Sequence, residues 1–124
     1  MEILRNYEKF IESTDLYKEE IKKFTKNATA EEIKDMYYLF ILLTGLEGEV
    51  GEIANKVKKI LRDSSGDKNE LKEMIIDEMG DVFWYFMRLC SFWGVSLEDI
   101  IAINSKKLSK RKDNGTLRGL GDKR

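Results

Sequence analysis

The sequence predicts an all-α protein, a bundle of four to five antiparallel helices that completes its core by homo-oligomerisation. The chain contains no proline, and its β-branched residues never alternate with polar ones as in a half-buried strand. The expected breaks fall at clusters of Gly, Asn, Asp and Ser. At 124 residues the chain is long enough for one core and too short for two.

The first helix is expected over residues 3–26, with an interruption at residues 13–15, where Ser, Thr or Asp can cap a restart. Thr29 is a suitable N-cap for the second helix, because Glu32 three residues later completes a capping box. This second helix should run to about residue 61.

Residues 62–67 are predicted to form a loop, and a third helix should follow over residues 69–92. Gly94 can end that helix in a left-handed conformation. Ser96 is predicted to cap a fourth helix over residues 97–110. The sequence therefore predicts a helical domain over residues 1–112.

Residues 113–124 are Gly-rich and charged, and this composition predicts an extended basic tail. The whole chain is nearly neutral, with 22 basic and 23 acidic residues, so no global field favours nucleic acid or an anionic membrane. The tail contains no aromatic residue, which makes a nucleic-acid role weak. We expect neither nucleic acid nor a membrane among the partners.

The chain has one cysteine and no histidine. Cys90 excludes an intramolecular disulfide and is expected to be a small core residue. The lack of histidine excludes Ser-His-Asp and Cys-His catalysis, the usual zinc sites and Glu-x-x-His di-iron ligation. No apolar run reaches membrane-spanning length and no signal peptide is recognisable, so we expect a cytoplasmic protein.

Two acidic pairs carry the main chemical signal: Glu49 with Glu52, and Glu78 with Asp81. Residues three apart share one face of a helix, so each pair presents two carboxylates together. Four carboxylates converging from two helices would repel one another unless a cation lay between them, and Mg²⁺ prefers such oxygen ligands. The alternative is a pair of solvated acidic faces.

The apolar pattern favours a site, because both acidic pairs border predicted core stripes. These stripes comprise Leu39, Leu43, Leu46, Val50, Ile53, Val57 and Ile60 on the second helix, and Ile75, Met79, Val82, Phe86 and Leu89 on the third. Residues 36–43 and 82–87 are apolar on nearly every side. Since one small domain can hardly bury both segments, a second copy of the chain is expected to cover them.

Four glycines, at positions 45, 48, 51 and 80, lie inside the predicted helices around the acidic pairs. Each costs up to about 1 kcal/mol relative to alanine. They indicate either tight helix packing or a ligand close to the backbone, and the two explanations are compatible.

The segments 46–59 and 77–85 together resemble the MazG-like all-α nucleotide pyrophosphohydrolases, whose signature is Glu-x-x-Glu, a spacer and Glu-x-x-Asp. The last helix is similar to that family's Asn-x-x-Lys-x-x-x-Arg element, through Asn104, Lys107 and Arg111. The opening segment and the tail also resemble one branch of the family.

The resemblance implies Mg²⁺-dependent hydrolysis of nucleoside triphosphates to the monophosphate and pyrophosphate, with Mn²⁺ as a substitute, in a homodimer or a dimer of dimers. The implied metal ligands are the four acidic residues: Glu49, Glu52, Glu78 and Asp81. Either Glu49 or Glu52 would also activate the attacking water. Nucleotide-pool house-cleaning is a consistent role.

Substrate contacts are expected from Lys56, Tyr85, Asn104, Lys107 and Arg111. Lys56 follows Glu52 by one turn and can bind phosphate, although an intrahelical Glu52–Lys56 ion pair is an equal alternative. Tyr85 projects nearer the acidic face than Trp84 and can stack on a base, although aromatic residues on helices are more often core.

A second function class stays open. The chain can be a non-enzymatic helical homodimer that binds a protein partner or senses nucleotides, with its acidic pairs in interface salt bridges. Stabilisation of the fold by Mg²⁺ and a nucleotide analogue would favour the enzyme over this alternative.

Overall fold

The computed structural model describes residues 2–63 and 67–118, and it is all-α over these ranges, as predicted. The helices are α1 (Glu2–Thr14), α2 (Tyr17–Asn27), α3 (Ala30–Asp63), α4 (Lys68–Trp93) and α5 (Leu97–Asp113). No helix in the described ranges combines the length and the apolar character needed to cross a bilayer.

The chain divides into two compact units, of which the first ends at Tyr38 and the second begins at Leu39. The predicted boundary between a helical domain, 1–112, and a tail, 113–124, stays a prediction. Helix α5 ends at Asp113, three residues beyond the predicted end, and the N–H of Thr116 then donates to the carbonyl of Arg111 at 2.8 Å. Residues 119–124 lie outside the described part of the chain.

The first unit contains α1, α2 and the first residues of α3. The interruption predicted at residues 13–15 is confirmed, because α1 ends at Thr14 and the Asp15 carboxylate accepts a hydrogen bond from the N–H of Tyr17 at 3.1 Å. Every described residue of this unit except Ala28 is exposed.

The predicted capping box at the start of α3 is confirmed. The Glu32 carboxylate accepts from the backbone N–H of Thr29 at 2.7 Å, and the Thr29 hydroxyl accepts from the N–H of Glu32 at 3.2 Å. These reciprocal bonds satisfy two donors that the first turn of a helix leaves without an intrahelical partner.

The second unit contains the rest of α3 together with α4 and α5. Asp67 caps α4 by accepting from the N–H of Asn69 at 2.8 Å, and Gly94 ends it at a φ of 63°. The predicted cap at Ser96 is also present, as a capping box with Asp99. The predicted loop at 62–67 is shorter at its start, because α3 continues to Asp63, and residues 64–66 lie outside the described part.

The buried apolar side chains of the second unit are Leu42, Ile60 and Cys90, with half-buried neighbours on all three helices. Cys90 is therefore a core residue, as predicted. Within the single chain the predicted stripe is not buried at Leu43 and Val50, which are 45% and 51% exposed, whereas Leu42, outside that stripe, is 1% exposed. Met79 on α4 is likewise 56% exposed rather than part of the core.

The physical reason is the rotation of α3 about its own axis. Its packed face passes through residues 42, 46, 49, 53 and 60, whereas the predicted stripe included positions one residue away on the solvent side. Successive residues are rotated by about 100° around a helix. A broad apolar stripe can therefore include both a packed residue and an exposed residue next to it in the sequence, and it does not show which of the two faces α4. The observed rotation turns Glu49 toward α4.

Candidate metal centre

Helices α3 and α4 run antiparallel in the second unit. Near one end of the pair a Cβ at Gly45 would meet the Tyr85 ring, and further along Lys56 contacts Met74 and Glu78. Positions that increase along α3 therefore meet positions that decrease along α4. This arrangement places the two acid-x-x-acid motifs opposite each other.

Three carboxylates meet between these helices: Glu49 from α3, and Glu78 and Asp81 from α4. One oxygen from each lies within 4.8 Å of the others. Glu49 and Glu78 are half-buried, and Asp81 is exposed. The group therefore has one side in the helix interface and one side open to solvent.

Glu52, predicted as the fourth ligand, does not belong to this group. Its side chain is exposed at the border of the packed face of α3, one turn from Glu49. Its charge nevertheless contributes to raising the pKa values of both Glu49 and Lys56. Glu52 is thus a neighbour of the centre, and its role as a ligand stays a prediction.

The pKa values of Glu49 and Glu78 are shifted in opposite directions. Partial burial raises the pKa of Glu49, and its hydrogen bond with Glu78 and the charges of Asp81, Glu78 and Glu52 raise it further. A hydrogen bond from Lys56 lowers the pKa of Glu78 and outweighs the effect of burial. The Lys56 contact thus favours the ionised form of Glu78, whereas burial and the neighbouring carboxylates favour the protonated form of Glu49.

Lys56 is the cation that contacts this centre. Its ammonium forms an ion pair with Glu78 Oε1 across the helix interface and donates to the Met74 carbonyl at 3.3 Å. The Glu78 hydrogen bond is the largest cause of the raised pKa of Lys56. Lys56 therefore forms its ion pair with Glu78 on α4. The alternative interpretation of the sequence had placed this ion pair within α3, between Lys56 and Glu52.

Sequence reasoning did not assign a role to Asp77, whose charge also raises the pKa of Lys56. The signal was present in the sequence, because Asp77 precedes Glu78 directly and makes this stretch of α4 more acidic than the paired motif alone. Its proximity to Lys56 depends on the register of α3 against α4, which the sequence does not encode locally.

Tyr85, predicted to contact a base, packs on Gly45 of α3. A Cβ at position 45 would lie 2.7 Å from the Tyr85 hydroxyl oxygen and closer still to the ring. The Tyr85 ring also makes an edge-on contact with Trp84, with centroids 4.9 Å apart. Close helix approach explains the glycine at position 45.

The other helix-interior glycines near the acidic residues have no such contact. A Cβ at Gly48, Gly51 or Gly80 would meet nothing within 4 Å. Packing within the described part of the chain therefore does not explain them, and the other explanation, a ligand close to the backbone, stays a prediction.

The residues predicted on the last helix lie on α5. Asn104 and Lys107 are exposed and Arg111 is half-buried. Their contact with phosphate stays a prediction.

The donor set fits a hard divalent cation. It consists of carboxylate oxygens only, the ligands that such a cation prefers, and three of them lie close together. An exposed Asp81 leaves a side of the group open for water or for substrate phosphates. Glu49, Glu78 and Asp81 are the residues that would hold the ion.

Fold and site together define an all-α protein with an acidic centre between two antiparallel helices. The chain matches the MazG nucleotide pyrophosphohydrolase domain over residues 39–116. This match covers more than half of the chain, so the chain belongs to that family, as its motifs predicted. The matched region begins at the residue where the second compact unit begins.

Two curated proteins are similar to this chain. The Gene 37 protein of Mycobacterium phage L5 is 48% identical over 81 residues, which cover 64% of this chain and 71% of that protein. The uncharacterized protein YvdC of Bacillus subtilis strain 168 is 40% identical over 81 residues, covering 60% and 76%. No solved structure matches the chain significantly.

Proposed function

We propose that this protein hydrolyses nucleoside triphosphates, of the ribose or deoxyribose series, to the monophosphate and pyrophosphate in nucleotide-pool house-cleaning. The reaction would require Mg²⁺, with Mn²⁺ as a substitute. The observation that carries the proposal is the three-carboxylate group of Glu49, Glu78 and Asp81 in a chain of the MazG nucleotide pyrophosphohydrolase family.

Attack of water at the α-phosphorus requires an activated water, neutralised phosphate charge and a stabilised pyrophosphate leaving group. A divalent ion supplies charge neutralisation and Lewis acidity when bound to these carboxylates. Glu49 or Glu52, which lie one turn apart on α3, would orient the attacking water or receive its proton.

Substrate binding is assigned to the basic, amide and aromatic residues predicted from the sequence. Lys56 would contact the phosphates, together with Asn104, Lys107 and Arg111 of α5. Tyr85 already lies against α3 at Gly45, so base stacking would use the part of its half-buried ring that remains accessible.

We also propose that the protein acts as a homodimer or a dimer of dimers in the cytoplasm. The large apolar side chains of Phe40, Phe83 and Trp84 are each more than half exposed in the single chain. Exposed aromatic side chains at several places are typical of an interaction surface.

The non-enzymatic alternative, a helical homodimer that binds a protein partner or senses nucleotides, is favoured by one observation. The cross-helix ion pair of Lys56 and Glu78 gives one of the acidic residues a structural partner. The two functions differ in their response to Mg²⁺, because the metal should increase stability against heat only in the enzyme.

The experiment that tests the proposed function is a screen of ribo- and deoxyribonucleoside triphosphates, with pyrophosphate release measured with and without Mg²⁺. We expect release from at least one nucleotide, only with the metal present. The Asp81→Asn variant serves as the control for a contaminating activity. Pyrophosphate release that is equal in this variant would contradict the assignment of the site.

A further inference from the structure

We propose that Lys56 is a positioning residue that holds Glu78 while the centre contains no metal and releases it when a divalent cation binds. This inference rests on the proposed function, since it assumes that the carboxylate group binds a divalent ion. It concerns a contact that the acidic motifs alone do not predict, because the two partners lie on different helices.

The geometry gives Lys56 two partners one turn apart on α4. Its ammonium contacts Glu78 Oε1 and also donates to the carbonyl of Met74, four residues earlier. The Lys56 and Glu78 side chains are only 21% and 14% exposed, so the pair is largely shielded from water. The Met74 carbonyl is uncharged and belongs to the backbone of α4. It can therefore still accept a hydrogen bond from Lys56 when Glu78 binds a metal ion.

The charges explain why a divalent ion would displace Lys56 from Glu78. Glu78 Oε1, the atom that Lys56 contacts, belongs to the carboxylate that also lies within 4.8 Å of Glu49 and Asp81 oxygens. A divalent ion among these oxygens would lie within a few Å of the ammonium, where like charges repel strongly at low exposure. Withdrawal of Lys56 toward Met74 relieves that repulsion and leaves a cation facing the anionic substrate.

If Lys56 and the metal compete for Glu78, removal of the Lys56 charge should tighten metal binding. In Lys56→Met the dissociation constant for Mn²⁺, measured by electron paramagnetic resonance on the full chain without nucleotide, should fall by about tenfold. Lys58→Met removes the same charge from an exposed position two residues along α3 and should change the constant by less than about twofold. Lys56→Arg keeps the charge and should restore weaker binding.

Two further measurements distinguish displacement of Lys56 by the metal from a general effect of removing one positive charge. The melting temperature of Lys56→Met should fall in EDTA and should approach that of the parent at saturating Mn²⁺, because the lost ion pair exists only without metal. The ammonium ¹⁵N resonance of Lys56, assigned by its loss in the variant, should shift when Mg²⁺ is added, whereas that of Lys58 should not.

Equal Mn²⁺ affinity in the Lys56→Met and Lys58→Met proteins would overturn the inference, and so would an equal loss of melting temperature with and without metal. Either result leaves the proposed function intact, because Mn²⁺ still binds. A parent protein that binds no Mn²⁺ contradicts the proposed function itself and this inference with it. If Lys56→Met does not fold in EDTA, the Lys56 resonance is assigned by its loss in Lys56→Arg, and its response to Mg²⁺ in the parent decides.

Discussion

At the scale of single residues, Glu49 and Glu78 are neighbours with opposite electrostatic environments. Glu78 has a cationic partner in Lys56, while Glu49 is crowded by other carboxylates. The two positions therefore allow the structural and the metal-binding contributions of a carboxylate to be separated by isosteric substitution.

We predict that Glu49→Gln keeps or raises the melting temperature in EDTA, because it removes a repelled charge. Glu78→Gln should lower the melting temperature under the same conditions, because it leaves Lys56 without its carboxylate. Both variants should nearly abolish Mg²⁺-dependent pyrophosphate release. A stable Glu78→Gln protein together with a destabilised Glu49→Gln protein would show that the charges are assigned to the wrong residues.

Gly45 provides a second residue-scale prediction. Gly45→Ala should destabilise the second unit by about 1–3 kcal/mol, since the added methyl group overlaps the Tyr85 ring. Gly48→Ala is the matched control, because a Cβ there meets nothing within 4 Å, and in a monomer it should stabilise α3 by up to about 1 kcal/mol. Urea unfolding of both variants measures the difference, and a Gly45→Ala protein as stable as Gly48→Ala would contradict the contact.

The sequence predicted the acidic residues by their spacing, since spacing along one helix determines which side chains share a face. It did not predict that Lys56 would pair with Glu78, or that Glu52 would lie outside the carboxylate group. Both features depend on the rotation and register of α3 against α4, which are tertiary properties.

At the scale of helices and their caps, the local signals were reliable. The capping box at Thr29 and the cap at Ser96 are confirmed, as is the left-handed glycine that ends α4. Each depends on atoms within a few residues, so the sequence contains all the information it needs. The face of α3 was harder to predict, because apolar residues surround the helix near Leu42 and several rotations would bury a similar stripe.

The Ser96 cap leads to a prediction of stability and its pH dependence. Ser96→Ala should cost about 1 kcal/mol at neutral pH, because the N–H of Asp99 loses its acceptor. The hydrogen bonds from the Ser96 hydroxyl and backbone lower the pKa of Asp99. A lowered pKa in the folded state means that the carboxylate stabilises the protein above its ordinary pKa and ceases to do so as the pH falls through the lowered value.

The difference in melting temperature between Ser96→Ala and the parent should therefore be largest near neutral pH and should shrink in acid. Thermal unfolding followed by circular dichroism across this range measures the effect. Glu98→Gln is the control, since Glu98 lies in the same first turn of α5 and outside the capping box. A difference between Ser96→Ala and the parent that does not change with pH would show that Asp99 takes no part in the cap.

At the scale of the whole molecule, the exposed apolar side chains need an explanation. The segments 36–43 and 82–87 were predicted to be covered by a second copy. In the single chain most large side chains of 36–43 are exposed, and in 82–87 Phe83 and Trp84 are exposed while the others are half-buried. Gly48, Gly51 and Gly80 also face open space, so the backbone is accessible near the carboxylate group. The sequence could predict that apolar surface exceeds what one chain buries, but not which partner covers it.

We predict that light scattering at micromolar concentration gives at least the mass of a dimer. Phe83→Lys should reduce that mass while keeping the helical circular dichroism, because Phe83 is 51% exposed and its replacement puts a charge in the expected interface. Lys58→Glu, which changes an already charged and exposed position, is the control. A parent protein that is a stable monomer would contradict the proposed assembly.

The central claim is that the carboxylates between α3 and α4 support metal-dependent release of pyrophosphate from a nucleoside triphosphate. The most direct test is ³¹P NMR of the reaction in H₂¹⁸O with Mg²⁺, comparing the parent with Asp81→Asn. We predict monophosphate and pyrophosphate in equal amounts, with ¹⁸O only in the monophosphate, and almost no product from Asp81→Asn. Release of inorganic phosphate with a diphosphate product, ¹⁸O in the pyrophosphate, or equal turnover in Asp81→Asn would contradict the claim.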